Sequence, residues 1–142
     1  MKYLGIDYGT KRTGLAVSDP EERFAFPRAT LSMTTREAFF ASLLAFIEKE
    51  GIGGIVIGLP LLTDGSEQLT TRQARHFAER LKRRTDKPIF WMEEVLSSFE
   101  AEEDLRLAGR TAPKDRALID QQAAARILQS FLNQPAEKRR PA

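Results

Sequence analysis

The 142-residue sequence predicts one α/β domain, in which a mixed central sheet of about five strands has helices on both faces. Short apolar runs separated by turns open the chain, and this pattern favours antiparallel strands. Two later apolar runs, GIVIG and PIFWM, are typical of strands buried in a parallel sheet. Segments with helical spacing of apolar residues alternate with these runs, which indicates an α/β fold.

The first half of the chain predicts three antiparallel strands and a helix. The strands are predicted over Lys2–Tyr8, Thr13–Ser18 and Phe24–Leu31. The first two flank a compact GTKR stretch and form a hairpin, and Pro27 favours an edge position for the third. The stretch TTRE, from Thr34 to Glu37, has capping-box spacing, and the helix that it begins ends at Gly51.

The second half alternates strands and helices. Strands are predicted over Gly54–Gly58 and Pro88–Met92, and helices over about 67–84, 97–109 and 116–133. The fourth strand is followed by the loop LPLLTDGS, with a turn at Asp64 and Gly65. Residues 1–134 are assigned to the folded domain, whereas the basic tail 135–142 is expected to be disordered.

Composition excludes several kinds of site. The chain has no cysteine and one histidine, so thiol catalysis, disulfides and cysteine-based zinc sites are excluded. No signal peptide is visible, and no apolar stretch approaches the ~20 residues needed to cross a bilayer. We therefore expect a soluble, cytoplasmic protein without a membrane partner. The net charge of +2 is only weak evidence for a nucleic-acid partner.

Charge is unevenly distributed along the chain. Residues 72–87 contain seven Lys or Arg against two acids, and residues 93–104 contain six acids and no base. Either stretch alone fits a solvated helix face. Together they also suit a protein that holds anions next to cations.

One acidic residue interrupts the apolar face of the last helix. Spacings of three and four place five residues on that face, namely Ala117, Asp120, Ala124, Ile127 and Phe131. An ionised carboxylate directed at the interior is unfavourable unless a cation or several donors meet it. A salt bridge, a wet edge of the apolar face or a functional site would each explain Asp120.

Further acids stand where two strands are predicted to end. Asp7 ends the first strand, and Gly9, which has no side chain, is expected to leave room for a bulky group beside it. Glu93 and Glu94 follow PIFWM. Because parallel sheets carry functional groups at the carboxyl ends of their strands, these acids and Asp120 are candidates for one site. Gathered carboxylates repel one another unless cations are present. Oxygen-only ligands favour Mg²⁺ or Mn²⁺, and two such ions can promote phosphodiester cleavage.

Four stretches of the chain resemble the YqgF/RuvX family, in family order. They are GIDYGTKRTGLAVSD, then IVIGLPLLTDGSEQ with a downstream RHFAERL, then EEVLSSFEAEEDLRLAG, then KDRALIDQQAAARILQSFL. The resemblance implies an RNase H-like fold and a metal-dependent nuclease related to Holliday junction resolvases. It implies that Asp7, Glu94 and Asp120 are the catalytic residues and the ligands of Mg²⁺ or Mn²⁺. It also implies the 16S ribosomal RNA precursor as substrate and ribosomal particles as partner.

The sequence departs from the family in the middle motif. The family has Asp-Glu-Arg-Leu-Thr-Thr where this chain has EEVLSS, so Val95 replaces an arginine and Glu93 replaces an aspartate. Loss of the arginine removes a fixed positive charge near the acids or the scissile phosphate. The register also stays open, since either Glu93 or Glu94 could face the site.

Six cations are candidate contacts for nucleic acid, namely Lys11, Arg12, Arg72, Arg75, Lys114 and Arg116. The first two lie on the hairpin turn, the middle two on the basic helix, and the last two shortly before Asp120. Such residues add affinity that is independent of base sequence and sensitive to salt. Each alone also suits an ordinary exposed position.

Four functions stay open on the sequence alone. The first is a nuclease that processes the 16S ribosomal RNA precursor. The second is a nuclease for branched or single-stranded DNA, and a resolvase of four-way junctions would need a homodimer that nothing in the sequence distinguishes from a monomer. The third is a non-catalytic RNA-binding factor, because Val95 departs from the family. The fourth is an ATP-binding protein, since Asp7–Thr10 also resembles the phosphate loop of actin- and hexokinase-like enzymes, although these need two such domains.

Overall fold

A six-stranded mixed sheet forms the centre of the protein. The computed structural model describes residues 1–96 and 113–142, so the helix predicted over 97–109 falls outside the described residues. The strands are β1 Tyr3–Asp7, β2 Arg12–Ser18, β3 Ala25–Ser32, β4 Gly54–Leu62, β5 Ile89–Leu96 and β6 Arg140–Pro141, in the order β3-β2-β1-β4-β5-β6. The first three pair antiparallel, β4 and β5 run parallel to β1, and β6 pairs antiparallel to β5. The predicted mixed sheet with an antiparallel start is confirmed, and β6 adds a strand to the expected five.

Helices cover both faces of the sheet, as predicted. They are α1 Arg36–Lys49, α2 Leu69–Lys82 and α3 Pro113–Asn133. α1 and α2 share one face and a core that includes Phe39, Leu43 and Phe77, all buried. α3 lies on the other face, where Ile127 and Phe131 are buried in a second apolar cluster. No described helix is both long enough and apolar enough to cross a membrane.

β4 and β5 extend beyond their predicted ends. Their parallel pairing continues through LPLL, the segment predicted to begin a loop. Pro60 has no N–H to donate to this ladder, and its carbonyl accepts a hydrogen bond from the Thr71 hydroxyl of α2. Sequence patterns are local and do not show that a second strand continues alongside. As a consequence, Glu93 and Glu94 lie within β5 and not beyond its end.

Most turns and helix ends lie where the sequence predicts them. Gly51 and Gly65 have φ of +64° and +80°, a region that favours glycine. Gly51 follows the end of α1 and Gly65 lies in the turn after β4, as predicted. The N-cap of α1 is Thr35, one residue after the predicted cap Thr34, because the Thr35 side chain accepts a hydrogen bond from the Ala38 N–H. β3 occupies the edge of the sheet, the position that Pro27 predicts.

The C-terminal residues are structured, in contrast to the disordered tail that the sequence predicts. Residues 136–138 form a short 3₁₀ turn and β6 pairs with β5. The Arg139 guanidinium lies over the rings of Tyr3 and Phe131, and it donates hydrogen bonds to the Tyr3 hydroxyl at 3.1 Å and Glu22 Oε1 at 2.9 Å. Tyr3 and Glu22 are 136 and 117 residues away along the chain, so no local pattern predicts these contacts.

We expect Arg139→Ala to lower the free energy of unfolding by about 1–3 kcal/mol. The substitution removes a charge-assisted hydrogen bond and a guanidinium stacked on two rings, each of which contributes about 1 kcal/mol or more. Urea denaturation measures the difference. The matched control is Lys138→Ala, an exposed neighbour, for which a change below about 0.5 kcal/mol is expected.

The loss at Arg139 should depend on pH. Burial acts to raise the pKa of Glu22, but the hydrogen bonds and charges of Arg139 and the N-terminal ammonium outweigh it and hold that pKa below its usual 4.5. The Glu22 contribution is therefore present above about pH 4.5 and is lost as the pH falls through the lower pKa of the folded state. Equal stability of the two variants at neutral pH would show that Arg139 does not anchor the C-terminal segment.

Candidate active site

Asp7 is the last residue of β1, and its side chain faces α3. Side chains alternate along a strand, and Tyr3 packs in the α3 cluster, so Gly5 and Asp7 share that face. The antiparallel partner of Asp7 is Gly14 on β2. A Cβ atom at Gly14 would collide with the backbone carbonyl of Asp120. The fold therefore brings the end of β1 and the middle of α3 to the two sides of one glycine.

The register of β5 separates the two neighbouring glutamates. Phe90 and Met92 pack on the α3 side of the sheet, and strand alternation places Glu94 on that side. Glu93 points to the opposite face, where its carboxylate forms an exposed ion pair with Arg140 of β6. Glu94 is therefore the glutamate that faces α3.

A glycine on β4 lets the Glu94 carboxylate lie over the sheet next to β1. Glu94 Oε2 lies 3.1 Å from the position that a Cβ atom on Gly58 would occupy. Ile6 of β1 pairs with Ile57 of β4, so Asp7 and Gly58 are the next residues on these adjacent strands. Asp7 on β1 and Glu94 on β5 thus share one face of the sheet, with Gly58 on the strand between them.

Asp120 is bound by an arginine. Arg12 Nε donates a hydrogen bond to Asp120 Oδ2 at 2.8 Å, and the two side chains are 31% and 20% exposed. This ion pair joins the start of β2 to α3, on the face that carries Asp7. A salt bridge is one of the explanations that the sequence leaves open for Asp120. It also means that Arg12, a candidate contact for nucleic acid, is engaged within the protein.

Asp7, Glu94 and Asp120 share a face of the sheet, but their carboxylates are not arranged around a common metal position. Within residues 1–96 and 113–142, no group of three or more His, Cys, Asp or Glu is placed to hold a metal ion. The donor set nevertheless consists of carboxylate oxygens, the ligands that Mg²⁺ and Mn²⁺ prefer. The space above Gly58 already admits one of these carboxylates. The chemistry of the donor set therefore fits a hard divalent cation, and the hydrogen bond from Arg12 occupies one of the two Asp120 oxygens.

Arg75 is engaged within the protein as well. It donates two hydrogen bonds to the Glu67 carboxylate, at 2.9 and 3.2 Å, and its guanidinium lies 5.8 Å from the centre of the Trp91 ring. The hydrogen bond from Arg75 holds the pKa of Glu67 below its usual range. Arg75 thus contributes to structure at the start of α2, on the face opposite the three acids.

The remaining candidate cations differ in their surroundings. Lys11 and Arg72 are exposed, and Arg116 is half-buried on α3. Lys114 belongs to α3, but its side chain lies outside the described part of the protein. Arg72 belongs to the helix that covers the α1 side of the sheet. The predicted cations therefore do not form one continuous track beside the acids.

Glycines with a role at the site are missed by sequence reasoning. The sequence suggests that Gly9 leaves room for a bulky group beside Asp7, but a Cβ atom at Gly9 would collide with the Arg12 carbonyl, so Gly9 serves to close the hairpin. Gly14 and Gly58 are the glycines that admit Asp120 and Glu94. Their positions within predicted strands are a usable signal, because glycine in a strand often marks a close approach.

Comparison with known proteins identifies the family of the chain. A family model described as RuvX, Holliday junction resolvase, matches residues 1–134. A protein of Nitratidesulfovibrio vulgaris (strain Miyazaki F) is 63% identical over 142 residues, the whole of both chains. One of Oleidesulfovibrio alaskensis is 57% identical and covers 99% of this chain and 98% of its own. Both relatives carry the name "Putative pre-16S rRNA nuclease".

Solved structures share the fold at low identity. Thermus thermophilus RuvC in complex with a Holliday junction substrate has a TM-score of 0.58 at 16% identity, covering 100% of this chain and 99% of that chain. A further Thermus thermophilus RuvC structure gives 0.56 at 14% identity, with both chains covered in full. The RNase H-like fold implied by the sequence is thereby confirmed. Since the family model spans nearly all of the chain, this protein belongs to the RuvX (YqgF) family of Holliday junction resolvase-like nucleases.

Proposed function

We propose that the protein is a metal-dependent nuclease that hydrolyses phosphodiester bonds with Asp7, Glu94 and Asp120. The observation that carries this is the common face of the three acids, with Gly58 admitting the Glu94 carboxylate beside the end of β1. Carboxylates gathered on one face of a sheet are unfavourable without cations, and oxygen ligands suit Mg²⁺ or Mn²⁺. When bound, such a cation activates water and stabilises the leaving oxygen.

Arg12 has a distinct part in this proposal. In the ion pair it neutralises Asp120, and it holds α3 against β2. The other Asp120 oxygen can bind a metal ion while Oδ2 accepts from Arg12, and both oxygens become available when Asp120 leaves this guanidinium. The freed guanidinium is then suited to bind a phosphodiester oxygen, because an arginine side chain binds phosphates in the same geometry in which it binds carboxylates. Arg12 would then supply a positive charge near the site, where the family has an arginine at the position of Val95.

The substrate that the relatives support is the 16S ribosomal RNA precursor. The two relatives described above are named as nucleases of pre-16S rRNA and match this chain along its full length. The protein would then act on ribosomal particles in the cytoplasm. The description of the family favours a four-way DNA junction as the second candidate.

One substrate panel tests the proposal. The protein is incubated with a 16S precursor fragment, a four-way DNA junction and a single-stranded DNA, each with Mn²⁺, Mg²⁺ or EDTA. We expect products from the precursor fragment with the metal ions and none in EDTA. Products from the junction alone would favour the resolvase. The absence of metal-dependent cleavage of any substrate would contradict the nuclease, and RNA binding without cleavage would favour a non-catalytic RNA-binding factor.

A further inference from the structure

A cavity of about 260 Å³ lies at the end of β1, on the α1 and α2 side of the sheet. Tyr8 lines it and directly follows Asp7 in the chain. The Tyr8 ring stacks on Phe77 of α2, with centroids 4.4 Å apart and planes 12° from parallel. Tyr8 is therefore on the face opposite the acids. The cavity and the candidate active site are reached from the same end of one strand.

Two guanidinium groups line the cavity, those of Arg36 and Arg80. Arg36 is the first residue of α1, and Arg80 lies in the last turn of α2. Neither forms an ion pair with any residue of the described ranges. Glu79, the neighbour of Arg80, is paired with Lys82 at 3.3 Å instead. The Arg84 guanidinium lies 4.1 Å from the ring centre of a phenylalanine in the wall, which adds positive charge behind the cavity.

The lining of the cavity matches a phosphate group. Guanidinium groups bind phosphate oxygens well, those of Arg36 and Arg80 have no carboxylate partner in the described part of the chain, and Tyr8 and Thr10 add hydroxyl groups to the lining. The rest of the wall is apolar and largely aromatic, whereas Arg36 and Thr10 are exposed, so an anion can reach the guanidinium groups from solvent. The volume of about 260 Å³ lies just below that of common small-molecule sites, about 300–1,000 Å³. A phosphate with part of its sugar suits it better than a large ligand.

We propose that this cavity binds a backbone phosphate of a single-stranded RNA segment, next to the bond that is cleaved on the other face. The inference rests on the proposed nuclease function and identifies how its substrate is held. Asp7 and Tyr8 are consecutive and face opposite sides of the sheet, so a strand that crosses the end of β1 contacts both. A single strand bends over such an edge, whereas a stiff duplex does not.

The double variant Arg36→Gln/Arg80→Gln tests the proposal. Binding of a labelled single-stranded segment of the 16S precursor is measured by fluorescence anisotropy in EDTA, where no cleavage occurs. We expect about 10-fold weaker binding and a slope of log K against log salt reduced by about 0.7, the loss of one phosphate contact on a single strand. With Mn²⁺ the fall in kcat/KM should come mainly from KM. Thermal melting verifies folding, and Arg36→Lys/Arg80→Lys should restore part of the affinity.

The control removes two equal charges elsewhere. Arg23 and Lys87 are exposed and do not line the cavity, so Arg23→Gln/Lys87→Gln should weaken binding by less than about twofold with little change in slope. Equal affinities of the two double variants would overturn the proposal. A second outcome would also overturn it: uridine monophosphate binds the wild type and not the Arg36→Gln/Arg80→Gln variant, while both proteins bind RNA with the same affinity.

Failure of the nuclease function has a different signature. Wild-type protein would then bind the RNA, and the double variant would bind it more weakly, yet no product would form with Mn²⁺ or Mg²⁺. A wild-type protein that binds no RNA would overturn both proposals.

Discussion

Replacement of Asp7 by Asn is expected to lower Mn²⁺-dependent cleavage of RNA by more than about 100-fold. Asparagine keeps the size of the side chain but loses the charge that attracts a cation. Loss of groups that only support metal ligands lowers activity by about 10–100-fold, and loss of a ligand should exceed that. RNA affinity in EDTA should change by less than about twofold, because Asp7 does not bind the phosphates. Single-turnover cleavage and fluorescence anisotropy measure the two effects.

Asp86→Asn is the matched control for this charge change. Asp86 is exposed in the segment before β5, so its variant should cleave at the rate of the wild type. Similar cleavage by the Asp7 and Asp86 variants would exclude Asp7 from catalysis. If the wild type and both variants bound RNA but none of them cleaved it, the protein would be better described as an RNA-binding factor.

Gly14→Ala is expected to destabilise the fold by more than about 3 kcal/mol and to abolish cleavage. A Cβ atom at this position would collide with the carbonyl oxygen and carbon of Asp120, which are backbone atoms of α3. Overpacking typically destabilises by about 1–3 kcal/mol when side chains can move aside, and a helix backbone yields less readily. The clash would push α3 away from β2 and carry Asp120 from Asp7. Urea denaturation and cleavage assays measure the two losses.

Gly58→Ala provides the contrast. There the added Cβ would meet side-chain atoms, Ile127 Cδ1 at 2.6 Å and Glu94 Oε2 at 3.1 Å, and these ends can shift. The expected loss of stability is about 1–2 kcal/mol, smaller than at Gly14, but displacement of Glu94 should still lower cleavage by at least about 10-fold. If Gly58→Ala cleaved normally while folded, Glu94 would not need the position that Gly58 leaves open.

Most helices and strands could be predicted, because the periodicity of apolar residues is a local property of the sequence. The helical spacing around Ile127 and the β-branched run GIVIG each report which element forms and which face it buries. The turn at Gly65 is equally local. The ends of the strands were harder to predict, because β4 and β5 continue past their apolar runs only where they pair with each other. The C-terminal segment escaped prediction because Arg139 finds Tyr3 at the opposite end of the chain.

The candidate site was predictable as a set of residue types but not as an arrangement. An aspartate in an apolar helix face and acids near strand ends marked Asp7, Glu94 and Asp120 as unusual. Alternation along β5 shows that Glu93 and Glu94 face opposite sides of the sheet, but not which of them faces the site. That choice depends on the register of β5 in the folded sheet. The pairing of Asp120 with Arg12 also needed the fold, as these residues are 108 positions apart.

The sequence by itself determined the α/β class, the antiparallel start of the sheet, the helices on its two faces within the described residues, and the family. Each of these is encoded in short patterns of apolar, turn and motif residues. Only the tertiary structure decided that Glu94 and not Glu93 faces α3, that Arg12 holds Asp120, and that Tyr8, Arg36 and Arg80 meet around a cavity. These depend on which distant segments lie side by side, and packing of the whole chain, not local propensity, selects those neighbours.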